Sequence, residues 1–482
     1  MLKYFDSVNF DQLKDQVKSQ ADKLLKKTLN RHIKLAVTGL SRSGKSAFIT
    51  SLVYQLCEQS NGSNLPFVES ISQSRFIGAK KIPQTSLHIP SFGFQEALDS
   101  LFGDEPTWPE STRSISELRL AIRYRPEEGL LSQLSEYNTL YVDIIDYPGE
   151  WLMDLPMLSM DFAKWSGLMA DLFQREPRKS TAQAFIERVN QLDLQAPVDE
   201  PLLESLSRQY SALLLKFKNE MGLSLLQPGR FILPGELEGA PILQFIPAFK
   251  DLKGIDWENL EPGTNLAALV NRFDEYKNHV VKAFYNDHFK HFDRQIVLVD
   301  CLAPLNAGSE SFAELQRSLA LILQSYHYGK NDLLHRLFSP QIDKLLFAAS
   351  KADHITTEQH KNLTLLLNKL VEQSRKDIQF EGIEVETMSM SSIKATENGF
   401  IEHEGETFPC IKGTTFTENE RKKVTLFPGE IPREIPKSAY WLDNQFNFVS
   451  FEPAKNPDQD SKVLEHIRMD HVIEYLLGDK LR

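Results

Sequence analysis

The sequence predicts an α/β fold: a mostly parallel sheet with helices on both faces, carrying a large helical insertion and a small β-rich C-terminal lobe. Three observations predict it. Short apolar strands alternate with helical spans, the pattern of a parallel sheet covered on both sides. Strings rich in Gly, Asp, Lys and Ser follow those strands directly, and ligands of such sheets bind beyond the carboxyl ends of the strands. From residue 150 to about 291 the period changes and leucines recur at helical spacing, as in an inserted helical segment.

Each element has its own signal. Residues 9–30 form an amphipathic helix, with Phe10, Leu13, Val17, Ala21, Leu24 and Leu25 on one face. Ile33 to Thr38 (IKLAVT) is an apolar strand, and a helix follows from Lys45 to about Glu58. Residues 61–90 are polar, carry Gly and Pro, and read as loop with short elements. Ser116 to Tyr124 (SELRLAIRY) alternates at period two, a half-buried strand, and Thr139 to Ile145 (TLYVDII) is another that ends at Asp146. The insertion contains two long helical stretches separated by the Pro/Gly-rich LQPGRFILPGELEGAP. Strands resume at Gln295 to Asp300 and Lys344 to Ala349, with a helix from Phe312 to Tyr326 between them. Ile383 to Met390 is a further strand, residues 399–453 carry turns and short alternating runs such as FNFVSF, and Val463 to Leu477 is a closing helix. The expected units are 1–31, 32–150 with 291–398 as the two parts of the sheet core, 151–290, 399–460 and 461–482.

Composition narrows the function classes. The 482 residues are 41% hydrophobic and 25% charged, enough for a sizeable core. A net charge of −12 argues against nucleic acid as the main ligand, because backbone binding needs a basic face. Cys57, Cys301 and Cys410 are scattered and odd in number, which fits a reducing compartment and neither a disulfide framework nor a zinc site. No signal peptide and no apolar run of membrane-spanning length is found, so a cytoplasmic location is expected. From Met1 to Lys34 there are eight Lys or Arg against four Asp. Two readings stay open for that basic helix: packing on the body of the protein, or a peripheral contact with anionic lipid at the inner membrane.

The string Gly39-Leu40-Ser41-Arg42-Ser43-Gly44-Lys45-Ser46 is the strongest chemical signal. Its glycines let the backbone curl so that successive N–H groups point at phosphate oxygens, continuing to Ala47 at the helix start. Lys45 supplies a point charge for the β and γ phosphates, and the Ser46 hydroxyl ligates Mg²⁺. This is a P-loop, and it predicts a nucleoside triphosphate. Asp146-Tyr147-Pro148-Gly149 is expected about once by chance in a chain this long, so its position at a strand end carries the reading. Asp146 is placed to hold Mg²⁺ through water, and the Gly149 N–H to meet the γ-phosphate. Helix or turn capping competes with that role.

Ser350-Lys351-Ala352-Asp353 follows the strand KLLFAA. Guanine offers two donors on one edge, and one carboxylate, Asp353, accepts both, while the Lys351 stem lies along the base. A cap for the next helix is the competing reading. One strand later, Ser391, Ser392 and Ile393 stand where backbone N–H groups would meet the guanine carbonyl. Thr112 is the preferred threonine to close on Mg²⁺ and the γ-phosphate, with Thr107 second. Glu150 is a candidate to orient water, although a carboxylate there sits close to a negative phosphate. Arg42 reaches either the phosphates or an acidic partner.

Together these strings resemble the YcjX-like family of bacterial P-loop GTPases, associated with stress response. The likeness rests on GLSRSGKS, VDIIDYPGEWL, LPGELEGAP…FIP, VLVDCLAPLNAG, AASKADHI and the closing EHIRMDHVIEYLLGDKLR, and spans essentially the whole chain. The resemblance implies a Ras-like core with a helical insertion after Asp146, and binding of GTP or GDP with Mg²⁺. It implies phosphate contacts from Gly39 to Ser46, γ-phosphate sensing by Asp146 and Gly149, and guanine recognition by Lys351 and Asp353. Ser350 stands where Asn or Thr is usual, which removes an amide that bridges to the phosphate loop and weakens the expected guanine preference. The expected function is a slow GTPase switch read by an unidentified protein partner through the insertion. An ATP-using NTPase or kinase and a nucleotide-gated scaffold at the membrane surface are the alternatives.

Overall fold

The computed structural model describes residues 31–482 apart from 41, 59, 61, 128–134, 326–341, 381, 404, 418–419, 438, 444–445 and 456–461. The helix expected over residues 9–30, with its membrane contact, and Ser41 lie outside the described residues.

Among the described residues, seven strands form one sheet in the order β2-β3-β4-β1-β5-β6-β7. They are β1 (Arg31–Gly39), β2 (Phe76–Ile82), β3 (Ser116–Tyr124), β4 (Asn138–Asp146), β5 (Arg294–Val299), β6 (Lys344–Ala349) and β7 (Glu384–Ser389). From β4 to β7 every pair is parallel, and β3 runs against both its neighbours. The central strand β1 reads as an apolar run because both its faces are covered: Leu35, Ala36 and Val37 are all fully buried.

The main helices are α1 (Lys45–Cys57), α2 (Phe94–Phe102), α3 (Phe162–Phe173), α4 (Arg178–Gln191), α5 (Glu200–Asn219), α6 (Asn265–Tyr276), α7 (Ser309–Gln324), α8 (His360–Phe380) and α9 (Met469–Leu477). On one face of the sheet, Phe48, Leu52 and Val53 of α1 pack with Val472, Ile473 and Leu476 of α9. On the other, Leu315 and Leu319 of α7 and Leu363 and Leu366 of α8 cover Val297 and Phe347. This is a Ras-like P-loop core.

Helices α3 to α6 belong to the insertion. Their starts are fixed locally: Asp161, Asp199 and Thr264 each cap a helix by accepting a backbone N–H, from Lys164, Leu202 and Ala267 respectively. The aromatic centre of the insertion, Trp165, Phe245, Phe273 and Tyr276, is continuous with the α7/α8 face of the sheet. A buried ion pair between Arg178 of α4 and Glu314 of α7 ties the two parts. Arg178 also donates to the Leu225 carbonyl at 2.7 Å, and Glu314 accepts the N–H groups of Ser224 and Leu225 at 3.1 and 3.2 Å.

Between β7 and α9 the chain makes a three-stranded antiparallel sheet of β8 (Thr396–His403), β9 (Glu406–Thr417) and β10 (Glu420–Leu426). The stretch 61–90, read as loop with short elements, contains the edge strand β2. Two local readings are corrected: the closing helix read from Val463 begins at Met469, and FNFVSF (446–451) forms no strand. Its Phe451 instead packs on β9, where a side chain at Gly413 would lie 2.5 Å from the ring.

Candidate functional site

The parallel strands end on one rim of the sheet. Register places Gly39 of β1 beside Leu298 of β5, Val299 beside Ala349 of β6, and Ala349 beside Ser389 of β7, while Val37 pairs with Asp146. The loops that follow therefore face one space.

The phosphate loop joins β1 to α1. A Cβ on Gly39 would lie 2.2 Å from Ser43 Oγ and 2.6 Å from the Leu298 carbonyl oxygen, so only glycine fits. Gly44 has φ 87° and Arg42 has φ 60°, left-handed turns that curl the loop. Arg42 is exposed. The first intrahelical bond runs from Phe48 N–H to the Gly44 carbonyl at 2.9 Å, so the N–H groups of Lys45, Ser46 and Ala47 precede the helical ladder. Among the described residues no side chain caps α1, and no acidic residue occupies its first turn. Helix ends of this kind offer free N–H groups and a positive dipole to anions. Lys45 Nζ folds across the loop to the Gly39 carbonyl at 3.4 Å. Ser43 Oγ is buried without a hydrogen-bond partner among the described residues.

Three oxygen-bearing side chains lie next to the loop. Ser46 Oγ donates to the Glu110 carbonyl at 2.7 Å, and Thr112 Oγ1 donates to Asp146 Oδ2 at 2.5 Å. Thr112, and not Thr107, is the threonine brought to Asp146. The second Asp146 oxygen, Oδ1, is buried without a hydrogen-bond partner among the described residues. Burial pushes the Asp146 carboxyl up to about 6, against the pull of Lys45 and the Thr112 hydroxyl. Two hydroxyls and one under-satisfied carboxylate are hard oxygen donors and fit Mg²⁺, which takes few protein ligands and completes its shell with water and phosphate.

The segment after Asp146 is held from two sides. A Cβ on Gly149 would lie 2.1 Å from the Gly39 carbonyl oxygen, so Gly149 rests directly on the phosphate loop. Residues Gly149 to Met157 are all buried. From the insertion, Lys218 of α5 pairs with Glu150 at 2.7 Å. Gly229 packs so closely that a Cβ would lie 2.2 Å from the Glu150 carbonyl oxygen. Its N–H donates to both oxygens of Asp154 at 2.8 and 3.0 Å, and the Tyr276 hydroxyl donates to Asp154 at 2.5 Å. The Arg230 guanidinium lies 3.4 Å from the centre of the Trp151 ring, a cation–π contact. Burial works to raise the Glu150 carboxyl, but the ammonium groups of Lys218 and Lys45 outweigh it and hold it below the usual carboxylate range.

At the other end of the rim, Lys351 adopts φ 61°, an uncommon conformation for a lysine and one that concentrates at ligand sites. Its ammonium donates to Asp300 Oδ2 at 2.6 Å. Asp300 closes β5 and also accepts the N–H groups of Leu302 and Ala303 at 2.9 and 3.1 Å. Burial opposes its ionisation, yet Lys351 holds its carboxyl below the usual range. Asp353 is buried, and its Oδ2 accepts the Ala395 N–H at 2.8 Å. Ser350 Oγ turns to the Val299 carbonyl at 3.5 Å, on its own sheet edge. The Ser392 carbonyl accepts from Ser51 Oγ of α1 at 2.6 Å, Ser391 exchanges backbone hydrogen bonds with Ile467, and Ile393 is buried.

Three contributors escaped the sequence reading. Asp300 had a signal, a carboxylate closing an apolar strand as Asp146 does. Lys218 and Gly229 had none, because their role depends on a fold-back of the insertion.

The model of the YcjX-like family, DUF463, matches residues 33–481. A protein of Escherichia coli (strain K12) named Ras-like GTPase YcjX is 43% identical over 470 residues, covering 97% of this chain and 100% of that protein. A protein of Shewanella oneidensis with the same name is 42% identical over 479 residues, covering 97% of this chain and 98% of that protein.

Proposed function

The chain belongs to the YcjX-like family, and on that premise we propose that it is a Mg²⁺-dependent GTP-binding protein that hydrolyses GTP slowly and switches conformation as it does so. The observation that carries this reading is the meeting of three loops on one sheet rim: the Gly39–Ala47 anion cradle, the Ser46–Thr112–Asp146 oxygen cluster, and the Lys351/Asp353 pair. Both relatives, named as GTPases, align over nearly the whole chain.

In this reading the uncapped N–H groups of α1 and the loop backbone bind the β and γ phosphates. Lys45 exchanges the Gly39 carbonyl for phosphate oxygens. Ser46, Thr112 and the Asp146 carboxylate would hold Mg²⁺, which would supply neutralisation of the triphosphate charge. Asp353 accepts the two guanine donors, with Lys351 along the base, Asp300 fixing its ammonium, and the Ser392–Ile393 backbone behind. The Gly149 N–H meets the γ-phosphate and Glu150 orients the attacking water. Because Gly149 rests on the phosphate loop and Gly229 rests on Glu150, a shift at the γ-phosphate passes into the insertion, where a protein partner reads it. The stress association of the resembled family belongs to the same proposal. GTP turnover by wild type and Lys45→Ala tests it: the variant is expected to lose hydrolysis, and undiminished turnover would contradict the role of the loop.

A further inference from the structure

A carboxylate beside a triphosphate poses an electrostatic problem. Like charges in close approach repel strongly where little water screens them, and Glu150 has little water around it, with its side chain only 8% exposed. Two cations act on it. Lys45 acts on it through space from the phosphate loop, and Lys218 pairs with it from the insertion at 2.7 Å. Once a triphosphate is bound, Lys45 is committed to the phosphates. Lys218 then remains as the counter-ion. The other charged groups nearby are engaged elsewhere: Arg230 lies over Trp151 and pairs with Glu236 at 3.2 Å, and Asp154 is taken by Gly229 and Tyr276. The backbone at Glu150 is also fixed, by Gly149 on the Gly39 carbonyl and by Gly229 on the Glu150 carbonyl.

We propose that Lys218 is a positioning residue for GTP hydrolysis: from the insertion it orients the Glu150 carboxylate toward the phosphate loop and neutralises its charge against the γ-phosphate. The insertion thus completes the hydrolytic site within one chain. Lys218 touches no nucleotide and acts through Glu150. The inference rests on the hydrolysis reading above.

The test measures kcat and KM for GTP, and affinity for GDP, in the full-length protein carrying Lys218→Met, Lys218→Arg, Glu150→Gln, or Glu150→Gln with Lys218→Met. The double variant leaves no unpaired buried charge, so it remains informative even if Lys218→Met alone folds poorly. Lys218→Met is expected to lower kcat by about tenfold or more, with KM and GDP affinity changed by less than about twofold. Lys218→Arg restores most of the rate. In the Glu150→Gln background, loss of Lys218 causes no further fall, because the two act as a unit. An unchanged or faster Lys218→Met enzyme overturns the proposal, as does an equal further fall in the Glu150→Gln background. A wild type that binds GTP without turnover overturns the hydrolysis reading itself, and this inference with it.

Discussion

At the scale of single residues, Gly149 and Asp154 show how little freedom the segment after Asp146 has. Alanine at position 149 would put a methyl 2.1 Å from the Gly39 carbonyl oxygen, a backbone atom that cannot swing aside. Gly149→Ala is therefore expected to lift the segment from the loop and weaken a non-hydrolysable GTP analogue by about tenfold, about 1.4 kcal/mol, relative to GDP. Titration of both nucleotides checks this, and an unchanged ratio would mean that the close approach is not used in binding. Asp154 predicts a pH effect. Burial pushes its carboxyl up to about 7 against the hydrogen bonds from Tyr276 and Gly229, while an unfolded Asp titrates near about 3.9. Between those values the folded chain keeps a proton that the unfolded chain has released. Its contribution to stability is thus complete below the unfolded value and is lost as pH rises through about 7. Asp154→Asn should flatten that part of the stability profile, measured as urea midpoints from acid to neutral pH; a slope identical to wild type would assign the dependence to other groups.

At the scale of elements, the pairing of α4 with α7 through Arg178 and Glu314 predicts the largest single loss. Arg178→Ala strands a buried carboxylate, and about 3–5 kcal/mol of stability should go with it. Chemical denaturation measures the loss, and a change near zero would mean that Glu314 finds another partner. The elements also differ in how readable they were. β3 and β6 match the spans read from SELRLAIRY and KLLFAA residue for residue, because half-burial imposes alternation on one and full burial an apolar run on the other. β2 was passed over: FIGAKKI is an edge strand with a register shift between Phe76 and Gly78, and only partial burial, so it carries neither pattern. FNFVSF alternates for a different reason. Phe448 and Phe451 are buried by packing, and scattered backbone bonds, from Asn447 N–H to the Pro428 carbonyl at 3.1 Å and from Glu452 N–H to the Thr414 carbonyl at 2.8 Å, stand in for a ladder. At the site, local strings announced Gly39 to Ser46, Asp146, Lys351 and Asp353, since each sits at a strand end. Lys218 and Gly229 were silent because their contact with Glu150 is made across the chain by tertiary packing.

For the whole molecule, the notable feature is that the insertion and the sheet share one hydrophobic core. The aromatic cluster of Trp165, Phe245, Phe273 and Tyr276 runs without a break to Val297 and Phe347 under the sheet. Phe217 and Phe231, beside Lys218 and Arg230, share this core with Leu40 of the phosphate loop, and on the proposed reading displacement of Gly149 or Glu150 is felt by the insertion. This coupling gives the insertion a part in the proposed switch beyond its bulk. It depends, however, on which nucleotide the rim accepts, and the guanine assignment rests on Asp353 and Lys351, with Ser350 turned to Val299. Calorimetric titration of the full-length protein with GTP and with ATP, each with Mg²⁺, addresses that most directly. GTP is expected to bind at least about tenfold tighter, about 1.4 kcal/mol; equal or tighter binding of ATP would contradict the account.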